Sequence, residues 1–265
     1  MNIEGRTVLV TGASGGIGRV IARTLHGRGA SLIVTARRRE LLDELCKELG
    51  DRAESFAADL TSKDDIAGLA ERAGEADIVV LNASLPASGR LEELTPDEID
   101  RSLEANLRAP IQLTRALVPR MIERGEGHIV FVSSLLGKMT RPGSSVYCAT
   151  KFGLRGFALA LSDDLHQNGV GVTTVLPGFI GDVGMFAETG ISPPGGFGTS
   201  TGQEVAEAVV RGIEKGEPEI VVAPRKLRMG AFLLSVAPKR MAKVRRRPES
   251  YEYAEAIAKQ QASKR

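Results

Sequence analysis

The chain has 265 residues, 42% apolar and 26% charged, enough for one large α/β domain with a full core. No run approaches the roughly 18 apolar residues that span a bilayer, and the opening MNIEGRTVLV lacks the basic-then-apolar order of a secretory leader, so a cytoplasmic protein is expected. Of the net charge of +2, residues 225–247 supply nine Lys/Arg and no Asp/Glu, leaving the remainder at −7; with no interleaved aromatics beyond Phe232 and no helix-turn-helix or zinc-finger spacing, nucleic acid is not an expected partner.

Along the chain, short apolar runs alternate with helical patterns. The strand TVLVTG leads into a helix over about 17–27, SLIVTA into one over about 39–48, and DIVVLNA follows a further helix. A long helix over about 97–124, the strand HIVFVSS, a helix over about 145–167, the strand GVTTVLP and finally EIVVAP complete the series. Continuous apolar strands between helices predict an α/β fold, with a doubly wound parallel sheet in a three-layer α/β/α single domain. The expected division is a catalytic and dinucleotide-binding domain over 1–224 and a basic amphipathic extension over 225–265. Within the first, residues 178–202 are rich in Gly, Pro, Ser and Thr and predict a lid-like loop.

Cys46 and Cys148 have no CxxC partner, and His26, His128 and His166 share no ligand spacing, so neither a disulfide framework nor a metal site is expected. The first strand runs straight into Thr11-Gly12-Ala13-Ser14-Gly15-Gly16-Ile17-Gly18 and then a helix. Glycines there allow a tight turn and close approach of a pyrophosphate, which the exposed N–H groups and dipole of the helix N-terminus favour.

The spacing Gly-x3-Gly-x-Gly differs from the common Gly-x-Gly-x-x-Gly and resembles the TGxxxGxG turn of the short-chain dehydrogenase/reductase family. Further motifs of that family stand in order: Asp59-Leu60, Leu81-Asn82-Ala83-Ser84 in the place of NNAG, Asn106, Ser134 thirteen positions before Tyr147, Tyr147-Cys148-Ala149-Thr150-Lys151 as YxxxK, and Pro177-Gly178. The resemblance spans about 5–224 and implies a Rossmann-like fold. It also implies a dinucleotide held by Gly12, Ser14, Gly16, Ile17, Gly18, Asp59, Leu60, Asn82, Ala83, Tyr147, Lys151, Pro177, Gly178 and Ile180, and a catalytic set of Asn106, Ser134, Tyr147 and Lys151. In that set Asn106 would hold a water linking Lys151 to solvent. A homodimer or homotetramer, with the helices bearing Asn106 and Tyr147 at the interface, is a further implication. Two positions depart from the family: LNAS loses the first Asn and the final Gly of NNAG, and Asp182 replaces the Thr that often follows the PG turn and helps hold the nicotinamide.

The residues themselves carry the chemistry. Tyr147 and Lys151, four apart on a helix, share a face, and the ammonium is expected to lower the phenol pKa and suit it to general acid catalysis on a carbonyl. Ser134, at a strand end, is placed to donate to the developing oxyanion. Where NAD-preferring folds carry an acid about 20 residues after the glycine turn, this chain has Thr35-Ala36-Arg37-Arg38-Arg39, which suits a 2′-phosphate and predicts NADP(H), with Arg37 as the main contact.

The reading is an oxidoreductase moving hydride between NADP(H) and a small-molecule carbonyl or secondary alcohol. The few charges in 178–202 lean towards an apolar substrate, and Met185, Phe186, Ile191 and Phe197 are candidates to line its pocket. A catalytically silent dinucleotide sensor on the same fold is the alternative, and a nucleotide-sugar isomerase or epimerase is disfavoured by the short chain beyond Pro224. For the tail, Leu227, Phe232, Leu233, Leu234, Val236, Met241 and Val244 lie among the nine cations, with Pro238 expected to split any helix. Two readings stand: peripheral contact of 225–247 with an anionic membrane surface, or apolar cover for the substrate pocket or a subunit interface.

Overall fold

The computed structural model describes residues 1–264, except for the side chains of Pro238, Arg240, Met241 and Val244. The parts expected of Met241 and Val244 in the tail therefore lie outside the described residues. Seven parallel strands form one sheet in the order β3-β2-β1-β4-β5-β6-β7, with β1 Thr7–Thr11, β2 Ser31–Ala36, β3 Ala53–Ala57, β4 Ile78–Leu81, β5 Gly127–Val132, β6 Val170–Pro177 and β7 Glu219–Val222. Side chains alternate across the pleat, so each strand feeds two cores. Val8, Val10 and Val34 face α1 (Gly16–Gly27), α2 (Arg39–Leu49) and α8 (Gly202–Lys215), where Ile21, Leu42 and Val209 meet them. Leu9, Ile33 and Phe131 face α3 (Lys63–Arg72), α5 (Ala109–Arg124) and α6 (Ser145–Leu165), where Leu69, Leu113 and Leu154 meet them. This is the expected doubly wound, three-layer arrangement.

Two elements depart from the pattern read in the sequence. β3 is an added edge strand, half-buried along its whole length as AESFA. The single long helix expected over 97–124 is instead α4 (Pro96–Leu103), a π turn over Glu104–Arg108 and then α5. Asn106 sits in that turn, 1% exposed.

The chain order reverses between β1 and β4, and the β1 and β2 ends open towards the side of the sheet where doubly wound folds bind ligands. At the β1 end the chain turns through Gly12, at φ +69°, directly into α1. A Cβ on Gly18 would lie 2.2 Å from the Gly12 carbonyl oxygen, so only glycine lets α1 approach the turn this closely. Loop 178–202 contains the short α7 (Gly184–Ala187) and returns beside its own start through an Ile180–Ser200 bridge.

Residues 225–261, expected as an extension, fold into three helices: α9 (Arg225–Val236), α10 (Pro238–Arg245) and α11 (Pro248–Gln261). Pro238 opens α10, so the helix does break there. Leu227 and Ala231 of α9 pack with Leu135, while Ala254, Ile257, Ala258 and Gln261 form the buried side of α11. Among the described residues no helix is long and apolar enough to cross a membrane.

Candidate active site

One cleft of about 600 Å³ runs from the glycine turn across the ends of β1, β4, β5 and β6 to α9 and α11. It gathers every cofactor-contact candidate: Gly12, Ser14, Gly16, Ile17, Gly18, Arg37, Asp59, Leu60, Asn82, Ala83, Tyr147, Lys151, Pro177, Gly178 and Ile180. Ser134 also lines it; Asn106 does not. The strand ends place these residues because the loops that follow them all emerge on one side of the parallel sheet.

The β4 loop is pinned to the glycine turn. The Asn82 and Ala83 backbone N–H groups both donate to Thr11 Oγ1, at 3.0 and 3.1 Å, and Asn82 Nδ2 donates to the Thr11 carbonyl at 3.1 Å. Asp59 Oδ1 accepts from the Thr61 backbone at 2.9 Å, fixing the turn beyond β3. Arg37 and Arg38 are exposed at the β2 end, line the cleft and, among the described residues, make no ion pair; Arg39, the first residue of α2, does not line it.

The catalytic candidates converge from three elements. Ser133 points back, its hydroxyl donating to the Lys151 carbonyl at 3.3 Å, whereas Ser134 reaches the Tyr147 phenol. Lys151 is 1% exposed, with Nζ 5.5 Å from the Tyr147 ring centroid. Burial, with no carboxylate to offset it, brings the Lys151 ammonium down to about 8. The expectation that Lys151 lowers the Tyr147 pKa is not met. Burial raises the phenol pKa overall, against the hydrogen bond from Ser134 and the charge of Arg141, which lower it. The phenol is thus held protonated at neutral pH.

Asn106 is fully engaged. Its Oδ1 accepts from the Leu85 backbone at 2.6 Å and from Ser84 Oγ at 3.1 Å, and its Nδ2 donates to the Leu85 carbonyl at 2.8 Å and to Ser102 Oγ at 3.2 Å. An amide has four such capacities, so the Asn106 side chain is satisfied within the protein and ties the β4 loop to the π turn.

Both departures from the family pattern have structural uses. Ser84, in the place of a glycine, joins Asn106 to Tyr147. Asp182 Oδ1 accepts from the Gly202 backbone N–H at 2.9 Å, tying the start of the lid to the first turn of α8 rather than pointing a carboxylate at a ligand.

Sequence reasoning missed several lining residues: Ser84, Met139, Arg141, Phe179, Ile257, Gln261 and Lys264. For α11 a signal existed, because Ala254, Ile257, Ala258 and Gln261 follow the i, i+3, i+4, i+7 spacing of a buried helix face. Of the four apolar lid candidates, Met185 and Phe186 line the cleft, while Ile191 does not and Phe197 packs against Leu135 and Leu227 instead. His128 is buried against Thr173 Oγ1 at 2.9 Å, and burial brings its pKa down to about 4. Among the described residues no cluster of His, Cys, Asp and Glu could hold a metal, and both cysteines are free.

A three-layer parallel fold with a glycine turn at its switch point and a Ser-Tyr-Lys group at its strand ends defines a dinucleotide-dependent oxidoreductase class, and comparison with known proteins agrees. The family model of short chain dehydrogenases matches residues 6–191, and the chain belongs to that family. It is 35% identical over 227 residues to ketoacyl reductase HetN of Nostoc sp., covering 83% of this chain and 79% of that one. Among solved structures it resembles a short-chain dehydrogenase from Sphingobium yanoikuyae in complex with NADPH, at a TM-score of 0.78 and 29% identity, covering 91% of this chain and 97% of that one. A 3-ketoacyl-(acyl-carrier-protein) reductase from Brucella melitensis complexed with NADH matches at a TM-score of 0.76 and 24% identity over 84% and 98% of the two chains, a likeness of fold alone. The protein is a short-chain dehydrogenase/reductase.

Proposed function

We propose that the protein is an NADP(H)-dependent carbonyl reductase in which Tyr147 is the general acid. The observation that carries this reading is the convergence of Ser134, Tyr147 and Lys151 at the floor of the cleft that begins at the glycine turn. The residues of that cleft fit a dinucleotide. The glycine turn presents backbone N–H groups at the start of α1 for a pyrophosphate, and Asp59, Leu60, Asn82 and Ala83 continue the cleft on either side of it. When bound, NADPH supplies the hydride.

Arg37 and Arg38 supply the cofactor preference. Both are free of carboxylates and stand at the β2 end, where charge-assisted bonds suit a 2′-phosphate. The NADPH in the S. yanoikuyae neighbour supports this choice.

In the reaction, the Ser134 hydroxyl donates to the substrate oxygen as charge develops on it, and the Tyr147 phenol gives that oxygen its proton. The raised phenol pKa keeps the proton available at neutral pH, which favours reduction. Lys151 holds positive charge beside the phenol and stabilises the phenolate left after transfer. Asn106 and Ser84 fix the β4 loop against this group.

The test is NADPH oxidation against a panel of aldehydes and ketones. Wild type is expected to turn over members of the panel with NADPH at least about tenfold more efficiently than with NADH, and Arg37→Ala to lose that preference. Tyr147→Phe should lower kcat by about 10²- to 10⁴-fold while cofactor affinity holds. Cofactor binding without turnover of any carbonyl would favour the dinucleotide-sensor reading; wild-type rates in Tyr147→Phe would refute the mechanism.

A second surface has its own supporting observation. Met229, Phe232, Leu233 and Val236, at i, i+3, i+4 and i+7 of α9, are 61%, 59%, 41% and 60% exposed, opposite the Leu227 and Ala231 face that covers the cleft. An exposed apolar stripe within the nine-cation segment fits peripheral docking on an anionic membrane. Binding to anionic but not neutral vesicles, weakened by salt, is the expected result. Self-association without vesicle binding would assign the stripe to a second copy instead.

A further inference from the structure

Between Ser134 and Tyr147 the chain loops over the substrate end of the cleft and carries one cation into it, Arg141. Its Nε and Nη2 both donate to the hydroxyl of the fully buried Ser144, at 3.2 and 2.9 Å, and its guanidinium lies over the Tyr253 ring of α11, 5.9 Å from the centroid. These contacts orient the group and, among the described residues, leave the two Nη1 donors without a protein acceptor. Among the described residues no carboxylate pairs with it. The ionisable groups whose charge would reach it are Tyr253, Cys148 and Tyr147, and burial pushes each of them up, so all three are neutral at pH 7. The Tyr253 hydroxyl is itself buried without a hydrogen-bond partner.

The cleft that Arg141 enters has an apolar wall of Met139, Phe179, Phe186, Leu227 and Ile257, while its loop also borders a small outer pocket with Arg90, Glu92 and Arg246. The other charges at this end, Glu188 and Lys264, neutralise each other in an ion pair. A half-buried guanidinium without an acid partner is costly in a folded protein unless a ligand completes it. The planar fork of Arg suits a carboxylate or phosphate, and its placement six residues before Tyr147 sets that contact apart from the reacting oxygen.

Resting on the reductase reading above, we propose that the substrate is an apolar carbonyl compound that also carries an anionic oxygen group, and that Arg141 binds that group. The body of the substrate lies along the apolar wall, the reacting oxygen meets Ser134 and Tyr147, and the anion meets Nη1 of Arg141. This narrows the apolar substrate expected from the lid composition to an amphiphilic one.

The experiment measures kcat/KM with NADPH for methyl-ketone carboxylic acids of increasing chain length, each matched with its methyl ester, and for the matched ketone phosphates. The best acid or phosphate is expected to exceed its neutral partner by about ten- to a hundredfold, the range of a hydrogen bond to a charged group. Arg141→Gln should bring that ratio close to one, and Arg141→Lys should keep part of it. The acid and phosphate arms decide which anion the site takes. A second arm measures, by calorimetry, binding of saturated carboxylic acids and their esters to the wild type and both variants in the presence of NADP, and needs no turnover. If no carbonyl is reduced, the reductase reading falls while the calorimetric arm still decides the role of Arg141. Neutral partners equal to or better than the anions throughout, or an anion preference unchanged in Arg141→Gln, would overturn the proposal.

Discussion

Replacing Lys151 by Met should make the cofactor-free protein more stable. Lys151 is 1% exposed, has no carboxylate partner and has its pKa brought from 10.5 down to about 8 by burial alone. Met keeps the stem and its packing volume and removes the charge. Below pH 8 the lysine is protonated in both the folded and unfolded chain, and the folded chain carries the full burial cost. At 1.36 kcal/mol per pH unit, a pKa lowered from 10.5 to about 8 corresponds to about 3 kcal/mol. Between pH 8 and 10.5 the folded chain has released the proton and the unfolded chain has not, so wild-type stability climbs relative to the variant. Above 10.5 the lysine is neutral in both states and the difference closes. Urea unfolding of both apoproteins at pH 7 and again near the alkaline limit measures the gap, and taking the difference cancels every other titrating group. The expected result is a Lys151→Met variant more stable by up to about 3 kcal/mol at pH 7, with that advantage shrinking at alkaline pH. A variant less stable than wild type at pH 7, or a gap that ignores pH, would refute the reasoning.

Gly18→Ala would drive a methyl to 2.2 Å from the Gly12 carbonyl and 2.7 Å from Asn82 Nδ2, so denaturant unfolding should show a loss of about 1–3 kcal/mol and fluorescence titration a weaker cofactor. Asp182→Ala removes the acceptor of the Gly202 N–H and should cost about 0.5–2 kcal/mol, with faster proteolytic nicking within the lid as the readout. Ser84→Gly removes the hydroxyl whose one proton goes to Asn106 Oδ1, so denaturant unfolding should show a loss of about 0.5–1.5 kcal/mol. An unchanged stability would show that the Ser84–Asn106 bond contributes nothing to holding the β4 loop.

The parts of the fold legible in the sequence are those whose signal is local. Runs such as VLV in β1 and IVVL in β4 are continuously apolar because both faces of the inner strands are covered, and the glycine turn and YxxxK are contiguous motifs. The edge strand β3 reads AESFA, with neither alternation nor an apolar run, because it is half-buried along its length. The π turn at Asn106 has no compositional mark, and its Asn106 side chain bonds to Leu85 in the loop after β4, a contact between residues distant in sequence. The same holds for Arg141: a basic residue in a Gly-Pro loop looks solvated until α11 is seen to return over it. The direction of the Tyr147 pKa depends on desolvation, which a sequence does not display, while the Lys151 spacing alone argues for the opposite sign. The stripe on α11 was visible as a pattern, but its use as a wall of the cleft is a matter of where the chain docks.

The placement of the cleft at the β1/β4 reversal also makes ligand binding a report on folding. Its lining comes from Gly12 near one end of the chain, Ser134 and Tyr147 in the middle, and Ile257 close to the other end, and the two cores on opposite faces of the sheet must both be assembled to bring them together. A partly folded chain that has formed only one of the two layers presents half a cleft. A ligand that binds only the native state stabilises it by about 2.7 kcal/mol at a hundred times its dissociation constant, so a bound dinucleotide would lower the unfolded fraction as well as support turnover. A cofactor-free pool of this protein would then be the one more exposed to proteases, tying its lifetime to cofactor supply.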